Sequence, residues 1–215
     1  MKYVGSPIRR WQDRGVDDNR AESEWDQYAD GWDDDPAARS YAAAAFTSLR
    51  ELLDESTVSL AGAAVLDFGC GTGLLTERLI GAGASVLAVD TSHAMLNVLG
   101  SKPQLADSSA VETSTTLPSS GERFDLVVCS SVCSFLDDYP ASVVALLGLL
   151  KPAGIFVQWD WERAPGDDHG LTRDEIVGAL DAAGLGNVEV RIGFEVDFEG
   201  EPMAPLMGHG AKLSS

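Results

Sequence analysis

Positive charge is what this chain has least of. Its 215 residues carry 15 Lys and Arg against 34 Asp and Glu, a formal net charge of −19, and only four of the basic residues are lysines. A nucleic-acid backbone or an anionic membrane needs a basic surface, so neither is expected as the main partner. Long hydrophobic runs are missing too: the longest, Ala141–Leu150, is far too short for a membrane span. Met1–Arg20 is polar and charged without an apolar stretch, so no signal peptide is expected. Three cysteines are too few and odd in number for a disulfide framework. No His/Cys pair stands near Cys129 and Cys133 at ligand spacing, so no metal site is expected. With 45% apolar and 23% charged residues there is material for a real core, and a cytoplasmic acidic protein is the expectation.

What the chain does have changes along its length. Ten acids crowd Trp11–Asp35, with Trp25, Tyr28 and Trp32 among them at spacings of three and four, one face of a short helix. Asp35-Pro36 reads as a helix start, and Tyr41, Ala45, Leu49, Leu52 and Leu53 form the apolar stripe that follows. From Ala63 short apolar runs alternate with helical segments. Strands are expected at Ala63–Phe68, Val86–Val89, Leu126–Cys129 and Ile155–Trp159. Helices are expected at Leu74–Gly81, Ala94–Gly100 and Pro140–Leu150. That alternation means a parallel sheet covered on both faces. Thr172 and Glu175 form a capping box, Gly184 ends its helix, and Val188–Val196 with Met203–Leu213 suggest a terminal hairpin.

The informative stretch is Val65-Leu-Asp-Phe-Gly-Cys-Gly-Thr-Gly-Leu-Leu-Thr76, a buried strand, a glycine turn and a helix start. Glycines at 69, 71 and 73 allow a sharp turn and close approach of a ligand. The helix start offers free N–H groups, and Asp90, ending the next strand, can accept from a ribose diol. A dinucleotide fingerprint fails: its third glycine would fall on Leu74 or on Thr76. No Lys-Ser/Thr follows Gly73, which disfavours phosphate cradling.

Asp-x-Gly-x-Gly-x-Gly with a second acid at the next strand end resembles the class I S-adenosylmethionine-dependent methyltransferases. Phe124–Ser131 is similar to that family's fourth strand, and Leu149–Ile155 to its approach to the fifth. The resemblance implies a Rossmann-like, doubly wound, seven-stranded mixed sheet with a terminal antiparallel hairpin and an N-terminal helical lid. It divides the chain into an acidic tail and lid, 1–35, and a methyltransferase domain, 36–215. It implies that Gly69, Gly71 and Gly73 pass under the methionine part of the cofactor. Asp67 would hold the ammonium group through water, and Asp90 the ribose hydroxyls. Cys70, Thr91, Thr113, Ser114 and Cys129 complete the cofactor set, although Cys70 reads equally as a small residue packed in the loop. Thr113 and Ser114 stand where the family has an acid and a small residue, with Glu112 as a substitute acid, and Ser134-Phe135 replaces a common His-His.

No general base marks itself. Asp160, Glu162, His169 and Tyr28 are candidates on position alone, the first three because the strand end Gln158-Trp-Asp-Trp-Glu162 and its loop belong to the rim of the crevice. For that strand end, a substrate-binding role and a plain core-and-surface role stand evenly. The expected activity is methyl transfer to a small-molecule acceptor, neutral or amine-bearing rather than phosphorylated, unless Arg39 or Arg163 inverts the local sign. A non-catalytic S-adenosylmethionine-binding protein stays open as the alternative, and a nicotinamide-dependent oxidoreductase is opposed by the glycine spacing.

Overall fold

Val65, Leu66, Val127, Val128, Phe156 and Val157 have almost no contact with solvent, because the strands that carry them are covered from both sides. The computed structural model describes residues 21–105, 108–119, 121, 123–198 and 200–213. Of the expected tail and lid segment, 1–35, residues 1–20 lie outside them. Helices α1 (Ala21–Ala29) and α2 (Pro36–Asp54) come first, separated by a 3-10 turn at Trp32–Asp34. Then follow β1 (Ala64–Phe68), α3 (Leu74–Gly81), β2 (Ser85–Val89), α4 (His93–Ser101), β3 (Val111–Ser114) and β4 (Phe124–Ser130). A second 3-10 turn, Cys133–Phe135, leads to α5 (Tyr139–Gly148), β5 (Leu150–Asp160) and α6 (Arg173–Ala182). The chain ends with β6 (Leu185–Ile192), β7 (Val196–Phe198), β8 (Glu201–Met203) and β9 (Leu206–Lys212).

Seven strands form one mixed sheet in the order β3-β2-β1-β4-β5-β9-β6, and β7-β8 form a separate ribbon. β1 pairs in parallel with both β2 and β4, whereas β9 runs antiparallel between β5 and β6. The strand order reverses beside β1, so the carboxyl ends of β1 and β4 bound a crevice at the switch point. Apolar stripes of α2, α3 and α4 pack on one face of the sheet, those of α5 and α6 on the other. Local signals act where the sequence places them. The Asp35 side chain accepts from Ala37 N at 2.8 Å with Pro36 as first helical residue, and Thr172 and Glu175 close a reciprocal capping box.

Two expectations shift. β5 starts at Leu150 rather than Ile155, because Leu150 pairs with Phe124 before the ladder is interrupted and resumes at Ile155 opposite Leu126. The terminal hairpin is β6 with β9, and β6 stops at Ile192 where Gly193 passes over Trp159. The small β7-β8 ribbon forms its tip, where a single continuous strand to Val196 was expected.

Candidate active site

The crevice at the carboxyl ends of β1 and β4 encloses a cavity of about 390 Å³. Its floor follows from the glycine turn. Gly69, Gly71 and Gly73 all have positive φ, but for different reasons. A Cβ on Gly69 would meet Val132 at 2.5 Å, and one on Gly73 would meet Leu99 at 2.6 Å, so these two let chain segments pack. Gly71 faces open space on the cavity wall, so its missing side chain leaves room for a ligand.

Two carboxylates stand over this floor. Asp67 at the end of β1 is buried; its Oδ2 accepts from Thr76 Oγ1 at 2.6 Å, and its Oδ1 has no partner. Burial pushes its pKa up to about 7, with the Thr76 bond opposing and the Asp90 charge adding to the rise. Asp90 accepts from Gly71 N at 2.8 Å and from Ser92 N at 2.9 Å. A carboxylate offers about four acceptor positions, so two remain for a ligand diol. Burial raises its pKa as well.

The aromatic segment before α2 forms the opposite wall. Trp25 and Tyr28 of α1 and Trp32 of the following turn all line the cavity. Polar links fasten this segment to the sheet domain: Ser92 Oγ donates to Asp26, Thr72 Oγ1 donates to Asp33 at 2.6 Å, and Lys102 Nζ lies 2.6 Å from Asp33 and 3.1 Å from Glu77. Trp25 meets Phe135 edge to face at 5.5 Å. The acidic run is therefore partly a set of anchors rather than a solvated surface alone.

The structure brings Asp67, Gly69, Cys70, Gly71, Asp90, Thr91 and Tyr28 around one cavity and leaves other expected residues outside it. Gly73 stands behind the turn against Leu99. Thr113 is exposed on β3 and Ser114 donates to Thr116 O, while Thr115 and Leu117, just past the strand end, line the cavity. Glu112 is exposed. Cys129 is buried in the core on the α5–α6 side of the sheet, since alternation along β4 points it away from the cleft.

The strand end at Gln158–Glu162 divides between the two faces. Trp159 is fully buried and its Nε1 donates to Ser48 Oγ at 3.3 Å. Trp161, two residues on, lines the cavity. Asp160, expected on the rim, points to the other face: its Oδ2 accepts from Cys133 N at 2.9 Å, and burial raises its pKa to about 6. That bond holds the turn which presents Phe135. Glu162 is exposed and paired with Arg173 at 3.0 Å, and His169 sits in the outer loop, so neither touches the cavity wall. Arg163 pairs with Glu175, and Arg39 donates to Asp34 O at 3.3 Å. Among the described lining residues there are three aspartates, 67, 90 and 137, and no Lys, Arg or His.

Pattern reading missed Tyr41, Ser130, Ser131, Thr115 and Phe135, all of which line the cavity. Tyr41 sits in the apolar stripe of α2 and reads as core. Ser131 has φ 55, a left-handed conformation uncommon for serine, and it turns the chain at the end of β4. The order of the apolar runs carries no signal for either.

Residues 66–158 match the family model described as a methyltransferase domain. With the strand order and the glycine turn, this segment is similar to the class I S-adenosylmethionine-dependent methyltransferases, and the match covers under half of the chain. Among curated relatives, the ubiquinone biosynthesis O-methyltransferase of Coxiella burnetii is 32% identical over 103 residues, 46% of this chain and 44% of that protein. The chain thus spans under half the length of the curated relatives it matches. Among solved structures, the N-methyltransferase NodS from Bradyrhizobium japonicum, in complex with S-adenosyl-L-homocysteine, superposes with TM-score 0.68 at 21% identity, over 89% of this chain and 97% of its own. The [4+2]-cyclase SpnF superposes with TM-score 0.64 at 16% identity, over 83% of this chain and 82% of its own. At these identities the structural likeness is one of fold.

Proposed function

We propose that the chain is an S-adenosylmethionine-dependent methyltransferase acting on a small-molecule acceptor. One observation carries the reading: a buried carboxylate with an unpartnered oxygen and a second carboxylate with two spare acceptor positions flank an open glycine turn, under an aromatic wall. An amino acid's ammonium group fits the first, a ribose diol the second, and the turn at Gly71 leaves the thickness of a ligand between them. When bound, S-adenosylmethionine supplies a methyl group on an electrophilic sulfonium.

The chain's own part is alignment and exclusion of water. Asp67 and Asp90 fix the two ends of the ligand, Trp25, Tyr28 and Trp32 close over it as a lid, and the acceptor is held in line beside it. The described lining residues supply no cation to bind a phosphate or a carboxylate, and their aspartates favour cations and neutral molecules. A small neutral or amine-bearing acceptor fits this sign, and the relatives named O-methyltransferases support oxygen as an acceptor atom. No described helix is long and apolar enough to cross a membrane.

A solved neighbour of the same fold is named a [4+2]-cyclase, so the fold alone does not fix methyl transfer, and one second reading is a protein that binds S-adenosylmethionine and transfers nothing. A release assay for S-adenosylhomocysteine against matched neutral, amine-bearing and phosphate-bearing acceptors separates the two. Turnover with the neutral or amine set supports methyl transfer. Cofactor binding with no turnover across the panel supports the second reading, and turnover confined to phosphates contradicts the proposed acceptor class.

A further inference from the structure

β2, β1, β4 and β5 are neighbours in the sheet, so the crevice runs across about 14 Å from the end of β2 to the end of β5 at ordinary strand spacing. Asp90 and Asp67 occupy the β2–β1 half. The β4–β5 half is walled by Tyr41, Ser130, Ser131 and Trp161, which the cofactor reading leaves unused. Two buried donors there lack partners: the Tyr41 hydroxyl and the Trp161 indole N–H. Tyr41 lies beside the Ser130 and Ser131 hydroxyls without meeting either in hydrogen-bonding geometry. Buried donors without partners are rare in folded chains and mark places where another group is received. Burial raises the Tyr41 pKa, so the hydroxyl stays a donor at neutral pH. The rings themselves are well packed. Tyr41 and Trp161 are 5.6 Å apart, and Phe194 meets Tyr41 edge to face at 5.0 Å.

Resting on the cofactor reading above, we propose that this half of the crevice is the acceptor subsite, and that it takes a flat, uncharged aromatic ring whose oxygen accepts a hydrogen bond from Tyr41. The aromatic wall suits the ring, and neutral donors suit an uncharged oxygen. An anion would meet no cation among the described lining residues. Tyr41 binds and orients the acceptor and removes no proton from it.

The test uses the S-adenosylhomocysteine-saturated protein, wild type and Tyr41→Phe, titrated with p-cresol and with toluene and followed by tryptophan fluorescence. The two probes differ only in the hydroxyl, and the variant keeps the ring. Wild type should bind p-cresol roughly fivefold to tenfold more tightly than toluene, the range for one net hydrogen bond. In Tyr41→Phe that ratio should fall close to one, with the Kd for S-adenosylhomocysteine unchanged within about twofold. A ratio near one in wild type, or a ratio that survives in Tyr41→Phe, overturns the subsite alone. A large loss of S-adenosylhomocysteine affinity in the folded variant also overturns it, by placing Tyr41 in the cofactor half. Failure of the wild type to bind S-adenosylhomocysteine at all overturns the cofactor reading and this inference together.

Discussion

Buried at the end of β1 with one oxygen unpartnered, Asp67 keeps its proton up to about pH 7, and Asp160, buried behind β5, up to about pH 6. Both would titrate near 3.8 in the unfolded chain. Between those values the folded state binds more protons, so these groups make stability fall as pH rises from about 4 to 7. Thermal melts of the ligand-free protein should show a higher Tm at pH 5.5 than at pH 7.5; the reverse order would mean that burial does not hold these protons. Ligand binding should run the other way. Ionised Asp67 accepts from an ammonium group in a charge-assisted bond, much stronger than one to the protonated acid, so affinity for S-adenosylhomocysteine should rise between pH 6 and pH 8 in a calorimetric pH series. A flat profile would remove Asp67 from the ammonium contact. Gly71→Val is the sharpest single change in the turn. Its φ of 54 and its place on the cavity wall make any branched side chain both strained and obstructive, and binding should be lost while the far-UV spectrum persists. A folded Gly71→Val that binds normally would move the site elsewhere.

At the scale of elements, the segment of α1 and the Trp32–Asp34 turn is fastened chiefly through Asp33, which meets both Thr72 and Lys102. Asp33→Ala should weaken S-adenosylhomocysteine binding by roughly threefold to tenfold, the loss of one or two partly exposed polar contacts, and leave global stability nearly unchanged. Limited proteolysis should cut N-terminal to Pro36 faster in the variant, and added S-adenosylhomocysteine should slow that cleavage. Equal cleavage with and without ligand would show that this segment does not close over the site. Such anchors were only half legible. The Trp25, Tyr28 and Trp32 spacing announces a helical face, but partners such as Lys102 lie far along the chain, and an acidic run looks the same whether solvated or clamped. The strand end at 158–162 was ambiguous for a related reason. Alternation puts Trp159 and Trp161 on one face and Asp160 on the other, but which face meets the cleft depends on where α2 packs. The β1 turn was legible because its chemistry is local: three positive-φ glycines and two acids within a few residues of their own strand ends. Tyr41 and Ser131 were not, since a helical stripe and a strand terminus carry no mark of the cavity they meet.

For the whole molecule, a net charge of −19 over a cavity whose described lining includes three aspartates and no basic side chain sets up a field that draws cations inward. Salt should therefore weaken binding of the cationic S-adenosylmethionine more than binding of its uncharged-sulfur product, by roughly twofold between 0.05 and 0.5 M NaCl, as screening of a partly open site allows. Equal salt dependence would show that the field does not reach the sulfur. The central claim is that this crevice, built on the glycine turn and Asp90, binds S-adenosylmethionine and its product. It is tested most directly by calorimetric titration of S-adenosylhomocysteine into wild type and Asp90→Ala. The account predicts one site per chain and a loss of about 1–3 kcal/mol in the variant, the range for a charge-assisted hydrogen-bonding partner removed. Absence of binding to wild type, or equal affinity for both proteins, would contradict it.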